Sequence, residues 1–494
     1  MQAFLLYVSL HFFSLFLFFV AFVLALWLIF VHHKSHWLIY ALIIWFPLEV
    51  TILKWLPIDY YPIGKYFPEI LMYSALAFSW WGYIKSKGRL LPKLPVNRWL
   101  AFFLLVAFIS LCLNWYSPVV WFLGVRQTLR FVVVFFIILF EEYPAEILKR
   151  FLLLGAGMIG LEALLGLVQY LMHGALDQYL FFPDTVSFGS VQLQGITEFW
   201  APGQRVFATL GRYDRLGSLL AVGLVLAFPW LYHIKDEFHK MWAWLAFGIG
   251  LLALVLTYSR ASWLACLVGI VVVGFFVLKD TRVLEVAAIG SGLAILYILF
   301  VIVFQHYGGG AFDKPSETLT QRAVEAVSWY SWQSDYEGYG RFFFWVNTPL
   351  VVVRSAPLFG VGPGNYGGGV AAALLNTKVY DILHLPFGIQ NTYGQIDSNW
   401  LSLWGETGTL GLVAWIFLLV ELIVSSRLVA ARSKNITERT VAEGMAGGVA
   451  SIMILALFGP YFEFRTLMVY FWLAAGIMMH YYREHEHTGN FLKK

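Results

Sequence analysis

The chain contains 494 residues, of which 60% are hydrophobic, 18% aromatic and 13% charged. Because soluble domains average about 25% charged residues, this composition excludes a disordered chain, a coiled coil and almost every soluble globular protein. It also excludes a transmembrane β-barrel, whose lumen-facing positions would keep the hydropathy near neutral. The net charge of +4 gives no indication of a nucleic-acid partner. We therefore predict an all-α polytopic membrane protein.

Long apolar runs predict about 12–13 transmembrane helices. In chain order, the predicted spans are 4–31, 37–53, 66–84, 98–113, 119–140, 149–172, 216–234, 241–257, 261–278, 283–304, 400–424, 440–460 and 465–482. The first run is too long for the core of a cleavable signal peptide, and no Lys or Arg precedes it. Residues 1–494 are therefore predicted to form a single integral membrane domain. Cys112 and Cys266 lie in apolar runs and predict neither a disulfide framework nor a metal site.

Lysine and arginine residues in the short loops predict how the chain crosses the membrane. Segments 85–98 and 425–439 are strongly basic, so we expect both to be cytoplasmic. The N-terminus and the two long loops, 173–215 and 305–399, then lie on the outer side, with the second loop between spans ten and eleven. A site built from these loops faces the periplasm or the exterior, which disfavours chemistry with nucleotides. The sequence also contains no nucleotide-binding glycine motif.

Arginines near the outer ends of the spans indicate an anion site. Arg126 and Arg130 lie one helical turn apart and share a helix face, whereas Arg260 lies in a turn between two spans and Arg341 in the second long loop. Further arginines at the end of the first long loop are Arg205, Arg212 and Arg215. Contact with lipid headgroups explains each arginine alone. Together they suit phosphate or pyrophosphate, which guanidinium groups bind through paired hydrogen bonds.

Two other features have more than one explanation. Glu162 lies in the middle of the span 149–172, among glycines that allow close helix packing. A buried carboxylate there requires a cationic or hydrogen-bonding partner, and a structural pair explains it as well as a functional role does. The Gly/Pro-rich segment 357–366 predicts a tight turn, without the strand and helix that flank a nucleotide-binding loop.

Two residues are candidates for a general base. Asp397 directly precedes the span 400–424, where it is either a helix N-cap or a base held by a rigid helix. His384 is the other candidate, because histidine titrates near neutral pH. A histidine in a loop is more often simply solvated than catalytic, so we favour Asp397.

The order of the polar motifs resembles a known family. The motifs are Arg212-Tyr213-Asp214-Arg215-Leu216-Gly217, Ser259-Arg260-Ala261-Ser262-Trp263-Leu264, Gly340-Arg341 with Trp345, Pro357 to Tyr366, and Asp397 to Leu412. This arrangement resembles the bacterial O-antigen ligase and O-antigen polymerase superfamily, which includes related protein O-oligosaccharyltransferases. The resemblance covers roughly residues 120–480 and is strongest from 205 to 412.

The resemblance implies a metal-independent, inverting glycosyltransferase of the bacterial inner membrane that requires no cofactor. Its donor would be a glycan linked to undecaprenyl pyrophosphate, and its acceptor a glycan, a lipid or a protein. Arg260 and Arg341 match the essential arginines of the family and would bind the pyrophosphate. Residues expected to contribute further are Arg126 and Arg215 as pyrophosphate ligands, with Glu162, Arg212 and Arg130 in support.

The last motif departs from the ligases of this family. Their motif starts with a His-Asn pair whose histidine is taken as the base, whereas this chain has Asp397-Ser398, which looks more like some polymerases. Candidate sugar-stacking residues near the loops are Trp200, Trp329, Trp332 and Trp345. Two alternatives remain. A transporter or flippase of the lipid carrier would have polar groups throughout the bundle and internal repeats, and a scaffold subunit would tolerate the loss of Arg260 or Arg341.

Overall fold

A computed structural model of the chain describes residues 20, 24, 35–55, 61–181, 186–188, 191–193, 200, 204–308 and 329–487. The first six helices, α1 to α6, are His36–Trp55, Tyr61–Lys87, Val96–Asn114, Pro118–Leu129, Val132–Glu141 and Ala145–Leu171. Then follow α7 (Asp177–Leu180) and a small antiparallel hairpin of β1 (Val186–Phe188) and β2 (Val191–Leu193), in which Val186 pairs with Leu193. Helices α8 to α11 are Tyr213–His233, Glu237–Leu256, Arg260–Val271 and Thr281–Gly308.

The second long loop and the last three spans complete the chain. Its four helices, α12 to α15, are Trp329–Glu337, Arg341–Asn347, Gly369–Ala373 and Lys378–Ile382. The last three helices, α16 to α18, are Asn399–Arg432, Ile436–Phe458 and Arg465–His487. Single turns of 3-10 helix occur at Ala208–Leu210, Ile389–Asn391 and Tyr461–Glu463, and π-helical turns at Val272–Val277 and Thr348–Val353 extend α10 and α13.

The predicted all-α polytopic fold is confirmed. Within the described residues, eight helices are long and apolar enough to cross a membrane, and α4 with α5 makes a ninth if that bent pair is one span. The other predicted spans there also form long helices, namely α2, α11 and α18 with 27, 28 and 23 residues. Apart from positions 20 and 24, the predicted first span, 4–31, lies outside the described residues.

One predicted span differs from a straight helix. We expected a single helix over 119–140, but the chain bends by 65° between α4 and α5. Arg130 lies at the bend and is buried, and it donates hydrogen bonds to Glu69 and to the backbone carbonyl of Glu463. The bend therefore coincides with a charged side chain that is held inside the protein.

Small residues allow the central helices to approach closely. The two most buried candidate spans are α17 and α8. A Cβ added at Gly444 of α17 would lie 2.5 Å from the backbone oxygen of Leu226 in α8, and one added at Gly447 would lie 2.7 Å from the backbone oxygen of Gly269. Helices in a membrane gain stability from such close packing, because lipid provides no hydrophobic drive for their association.

The two ends of the bundle are distinguished by their charged side chains. At one end Glu142 pairs with Lys87 and Arg483, at 3.0 and 2.9 Å, and His485 contacts Glu438 at 3.0 Å. These contacts bring the two predicted cytoplasmic segments to the same end. The candidate site lies at the other end, where the charge of Asp397 in the second long loop acts on Arg212 at the end of the first.

Candidate active site

The segment Pro357–Tyr366 is a structural turn that docks onto a break in α16. Val361 N and Gly362 N donate to the backbone oxygens of Gly405 and Glu406, each at 2.9 Å. Gly360 has φ of 70°, and a Cβ there would lie 2.4 Å from the Glu406 carbonyl, so only glycine fits. The buried Glu406 side chain accepts a hydrogen bond from Gly364 N at 2.9 Å. The predicted tight turn thus fixes the second long loop on α16.

The start of α16 leaves Asp397 available for another role. The N-cap is Ser398, whose hydroxyl accepts a hydrogen bond from Leu401 N at 3.4 Å. Asp397 instead pairs with Arg341, whose Nη2 lies 3.0 Å from its Oδ2. The two side chains are 40% and 39% exposed, so the pair is open to a ligand. Of the two roles predicted for Asp397, the structure assigns the helix cap to its neighbour.

A local cap positions Arg341 at the start of α13. The carboxylate of Asp335 accepts a hydrogen bond from Phe342 N at 2.6 Å. A Cβ at Gly340 would lie 2.1 Å from that carboxylate, which explains the glycine before Arg341. The chain therefore turns sharply between α12 and α13 and presents Arg341 toward Asp397.

The starts of α8 and α10 meet beside this pair. Arg212 donates to both carboxylate oxygens of Asp214, at 3.1 and 2.9 Å. The Asp214 carboxylate raises the pKa of the Arg212 guanidinium, and the charge of Asp397 adds to this effect. A Cβ at Gly217 would lie 2.8 Å from Ser262 Oγ, so glycine lets α8 touch the motif that contains Arg260, the exposed first residue of α10.

These contacts gather the five sequence motifs at one end of the bundle, and the comparison with known families covers most of them. Residues 245–416 match the family described as O-antigen ligase. This segment is similar to an O-antigen ligase domain. It includes Arg260, Arg341 and Asp397, whereas Arg212 and Arg215 precede it. A search of curated proteins found no match.

The resemblance inferred from the motifs is therefore confirmed for the O-antigen ligase segment. It supports a ligase or polymerase type of function and, with the apolar helices, a multi-pass membrane protein whose partners are a lipid-linked glycan and the bilayer. Within the described residues, no group of three or more His, Cys, Asp and Glu side chains is arranged to hold a metal ion.

Arg126 and Arg130 belong to a buried ion cluster next to the O-antigen ligase segment. The Glu69 carboxylate forms ion pairs with Arg126, Arg130 and Arg465. The nitrogen–oxygen distances to Arg130 and Arg465 are 3.2 and 3.0 Å. Arg126 and Arg130 thus share one partner, as predicted for two residues on the same helix face. Both guanidinium groups form ion pairs with Glu69, so the first role of these two residues is to stabilise this end of the bundle.

Removing the carboxylate of this cluster is expected to destabilise the protein strongly. Glu69→Gln removes the carboxylate that three arginines share, and only Arg465 among them keeps another ion pair within the described residues, with Glu49 at 3.1 Å. Breaking a buried ion pair costs about 3–5 kcal/mol. The matched control is Glu421→Gln, because Glu421 pairs with Arg98, whose side chain is 65% exposed. Exposed pairs contribute about 0–1 kcal/mol. Unfolding by sodium dodecyl sulfate measures both variants, and equal losses of stability would contradict this assignment.

Arg215 remains open to a ligand among charged neighbours. Its side chain is exposed, and its guanidinium carbon lies 5.9 Å from the centre of the Phe464 ring. The charges of Asp214, Arg212, Glu49 and Arg465 all act on it. Arg215 thus lies near both the Arg212–Asp214 pair and the Glu49–Arg465 pair.

Glu162 has a hydrogen-bonding partner. Its carboxylate accepts a hydrogen bond from Thr209 N at 3.1 Å and also contacts the Thr209 hydroxyl. The same hydroxyl lies 3.0 Å from the backbone oxygen of Pro47. Glu162 therefore ties α1 and α6 to the turn that precedes Arg212. These contacts fit the structural explanation of Glu162, in which its partner is a hydrogen-bonding threonine and not a cation.

The structure does not bring His384 into the charged cluster. His384 is exposed after α15, and its backbone N donates to the backbone oxygen of Asp381 at 3.3 Å. In the described part of the chain, its imidazole makes no hydrogen bond or ion pair. Asp397 is therefore the candidate base with the more suitable surroundings.

The four candidate sugar-stacking tryptophans fall into two groups. Trp200 is only 4% exposed, and its indole donates to the backbone oxygen of Gln204 at 3.0 Å, so it serves the packing of the first loop. Trp329, Trp332 and Trp345 are 75%, 45% and 37% exposed. These three flank Arg341 along the chain and remain available to a glycan.

Proposed function

We propose that this chain is an outward-facing membrane glycosyltransferase that moves a glycan from undecaprenyl pyrophosphate to an acceptor hydroxyl. It would thereby polymerise or ligate a surface polysaccharide of the O-antigen type in the bacterial inner membrane. The observation that carries the proposal is the half-exposed Arg341–Asp397 pair, 3.0 Å apart, within the O-antigen ligase segment that also supplies Arg260.

The arginines supply what the leaving group requires. As the bond between the anomeric carbon and the pyrophosphate oxygen breaks, its electron pair leaves with the pyrophosphate, and prearranged cations stabilise that charge. Arg341 uses Nη2 for Asp397, its Nε is buried, and its Nη1 makes no hydrogen bond or ion pair within the described residues. Nη1 is therefore the donor of Arg341 that is left for a phosphate oxygen, and the side chains of Arg260 and Arg215 are exposed as well.

Asp397 completes the reaction. The acceptor oxygen attacks the anomeric carbon from the face opposite the pyrophosphate, so the configuration inverts, and the hydroxyl proton passes to the Asp397 carboxylate. The pyrophosphate is already an activated leaving group, so we propose no metal and no cofactor.

The aromatic helix α12 is a suitable surface for the sugar. None of its nine residues is buried, and it ends shortly before Arg341. Its charged residues, Asp335 and Glu337, are both acidic, whereas helices that bind anionic membrane surfaces are rich in Lys and Arg. Exposed aromatic rings without basic neighbours fit a glycan better than they fit lipid phosphate.

The proposed orientation makes a direct prediction about accessibility. In a Cys112→Ser background, Ser334→Cys in α12 is expected to react with a membrane-impermeant maleimide from outside the cell, and Ser86→Cys only after permeabilisation. Both serines have exposed side chains, and Cys112 must be removed because it too is exposed. The reverse labelling pattern would place the site on the cytoplasmic side and contradict the proposal.

Reconstitution with a carrier-linked glycan tests the function itself. Purified protein is incubated with undecaprenyl-pyrophosphate-linked glycan from the organism that encodes the chain, with Arg341→Ala as the inactive control. A ladder of products indicates a polymerase, and a single shift of an added acceptor indicates a ligase. No release of undecaprenyl pyrophosphate, together with movement of intact donor across liposomes, would instead establish the flippase alternative.

A further inference from the structure

The second long loop has a small apolar core of its own, separate from the core of the helical bundle. The buried side chains of this core are each at most 1% exposed, and they are Phe344, Val352, Tyr366, Tyr380 and Ile396. Phe344 lies in α13, three residues after Arg341, whereas Ile396 directly precedes Asp397. The core of this loop therefore supports both members of the Arg341–Asp397 pair.

The hydroxyl of Tyr380 joins two backbone segments within this core. It accepts a hydrogen bond from Gly367 N at 2.8 Å and donates one to the backbone oxygen of Gly394 at 3.0 Å. Both glycines are buried, and neither backbone group has another hydrogen-bond partner within the described residues. Because an unsatisfied buried donor or acceptor is costly, the chain is expected to move when the hydroxyl is removed.

The same two segments also bind each other directly before the candidate base. Ile396 N donates to the backbone oxygen of Gly367 at 3.0 Å. A Cβ at Gly367 would lie 2.7 Å from the side chain of Ile396, so the glycine allows this close approach. Three hydrogen bonds thus hold the backbone of residues 394–396, and the next residue is Asp397.

Aromatic packing fixes the direction of the Tyr380 hydroxyl. The Tyr380 ring is stacked on that of Tyr366, with centres 5.3 Å apart, and meets the Phe387 ring edge-on at 5.1 Å. Tyr366 N in turn donates to the carboxylate of Glu406 in α16 at 3.3 Å. The ring therefore rests on the part of the loop that docks onto α16. Because the ring is buried, its hydroxyl acts on the protein backbone and not on the substrate.

We propose that Tyr380 is a positioning residue that sets the place of the Asp397 carboxylate beside Arg341. The inference rests on the proposed glycosyl transfer, in which Asp397 takes the proton of the acceptor hydroxyl. The aspartate side chain is short, so its carboxylate moves with the backbone that Tyr380 holds. Misplacement of a reacting group by about 1 Å costs on the order of a hundredfold in rate. A hydroxyl that touches no substrate can therefore still control the rate.

The test compares two variants of the full chain in liposomes. Tyr380→Phe keeps the ring and removes the hydroxyl, and we expect kcat for release of undecaprenyl pyrophosphate to fall about tenfold to a hundredfold. The donor KM is expected to change little, because the arginines that bind pyrophosphate in the proposed reaction remain.

The matched control is Tyr366→Phe, because Tyr366 belongs to the same small core and is fully buried. Its hydroxyl lies 2.8 Å from that of Thr348 and makes no contact with residues 394–396 within the described part of the chain. We expect this control to keep the wild-type kcat, since a threonine in a helix can bond to a carbonyl of its own helix. Equal losses in the two variants would indicate a general loss of packing and overturn the inference.

A double-mutant cycle shows whether Tyr380 acts through the base. In an Asp397→Asn background, followed with protein in excess over donor, Tyr380→Phe is expected to cause no further loss, because the carboxylate that it would misplace is absent. The same fold-loss in both backgrounds, or a Tyr380→Phe enzyme with the wild-type kcat, would overturn the inference. Should Tyr380→Phe not fold, Ile396→Ala decides, because it loosens the same segment and a wild-type kcat there removes the proposed dependence. A wild-type protein that releases no undecaprenyl pyrophosphate would instead contradict the proposed function.

Discussion

Replacing Arg341 or Arg260 with alanine is expected to reduce glycan transfer by roughly a hundred- to a thousandfold, or 2.7–4 kcal/mol of transition-state stabilisation. The reason is that, in the proposed reaction, each arginine stabilises the charge that the pyrophosphate gains as the glycosidic bond breaks. Arg341 is also the partner of Asp397 at 3.0 Å, so its loss disturbs the candidate base as well. The initial rate of release of undecaprenyl pyrophosphate measures the effect.

Lysine variants and an arginine control sharpen this prediction. Arg341→Lys is expected to recover only part of the activity, because an ammonium group cannot reproduce the paired hydrogen bonds of a guanidinium. Arg354→Ala, which removes an exposed arginine from the same loop, is expected to leave the rate unchanged. Size-exclusion profiles should match those of the wild type. A fully active Arg260→Ala or Arg341→Ala enzyme would remove that residue from the site.

The sequence predicted the fold well because the membrane imposes simple requirements. A segment that crosses lipid must satisfy its backbone hydrogen bonds internally, so a long apolar run is read reliably as a helix. Every predicted span within the described residues is helical, although 119–140 forms two helices, α4 and α5. The bend between α4 and α5 was not predictable in this way, because it accompanies the contacts of Arg130 with Glu69 and Glu463, which are distant in sequence.

The site was predictable only in part. The order of the motifs indicated the family, which places Arg260, Arg341 and Asp397 within one matched segment. It did not reveal the cluster on Glu69, although ionisable residues near the ends of apolar runs are a signal that could have found it.

Local rules also left the choice of the helix cap open. Asp and Ser are both favoured at helix N-caps, so sequence alone could not decide between Asp397 and Ser398. The structure gives the cap to Ser398 because Asp397 has Arg341 as a partner from the distant second loop. Long-range ion pairs of this kind are invisible to rules that use sequence spacing.

The choice between Asp397 and His384 as the base leads to opposite expectations for two variants. We expect Asp397→Asn to lose most of its transfer activity, since a positioned general base contributes typically about 10²–10⁴-fold. His384→Ala is expected to remain active, because His384 is exposed and makes no side-chain contact with the charged cluster in the described part of the chain. An active Asp397→Asn enzyme together with an inactive His384→Ala enzyme would reverse the assignment.

Donor binding shows whether Asp397 acts on the proton or merely holds Arg341. Asparagine keeps the size of the side chain and an oxygen that can accept from Arg341, but it removes a negative charge 3.0 Å from that arginine. Undecaprenyl pyrophosphate is therefore expected to bind Asp397→Asn in nanodiscs at least as tightly as it binds the wild type. Asp381→Asn, which changes an exposed aspartate of the same loop, serves as the control with normal transfer. Weakened binding by Asp397→Asn would mean that its carboxylate organises the arginines, because a residue that only removes the acceptor proton has no reason to strengthen the hold on the donor.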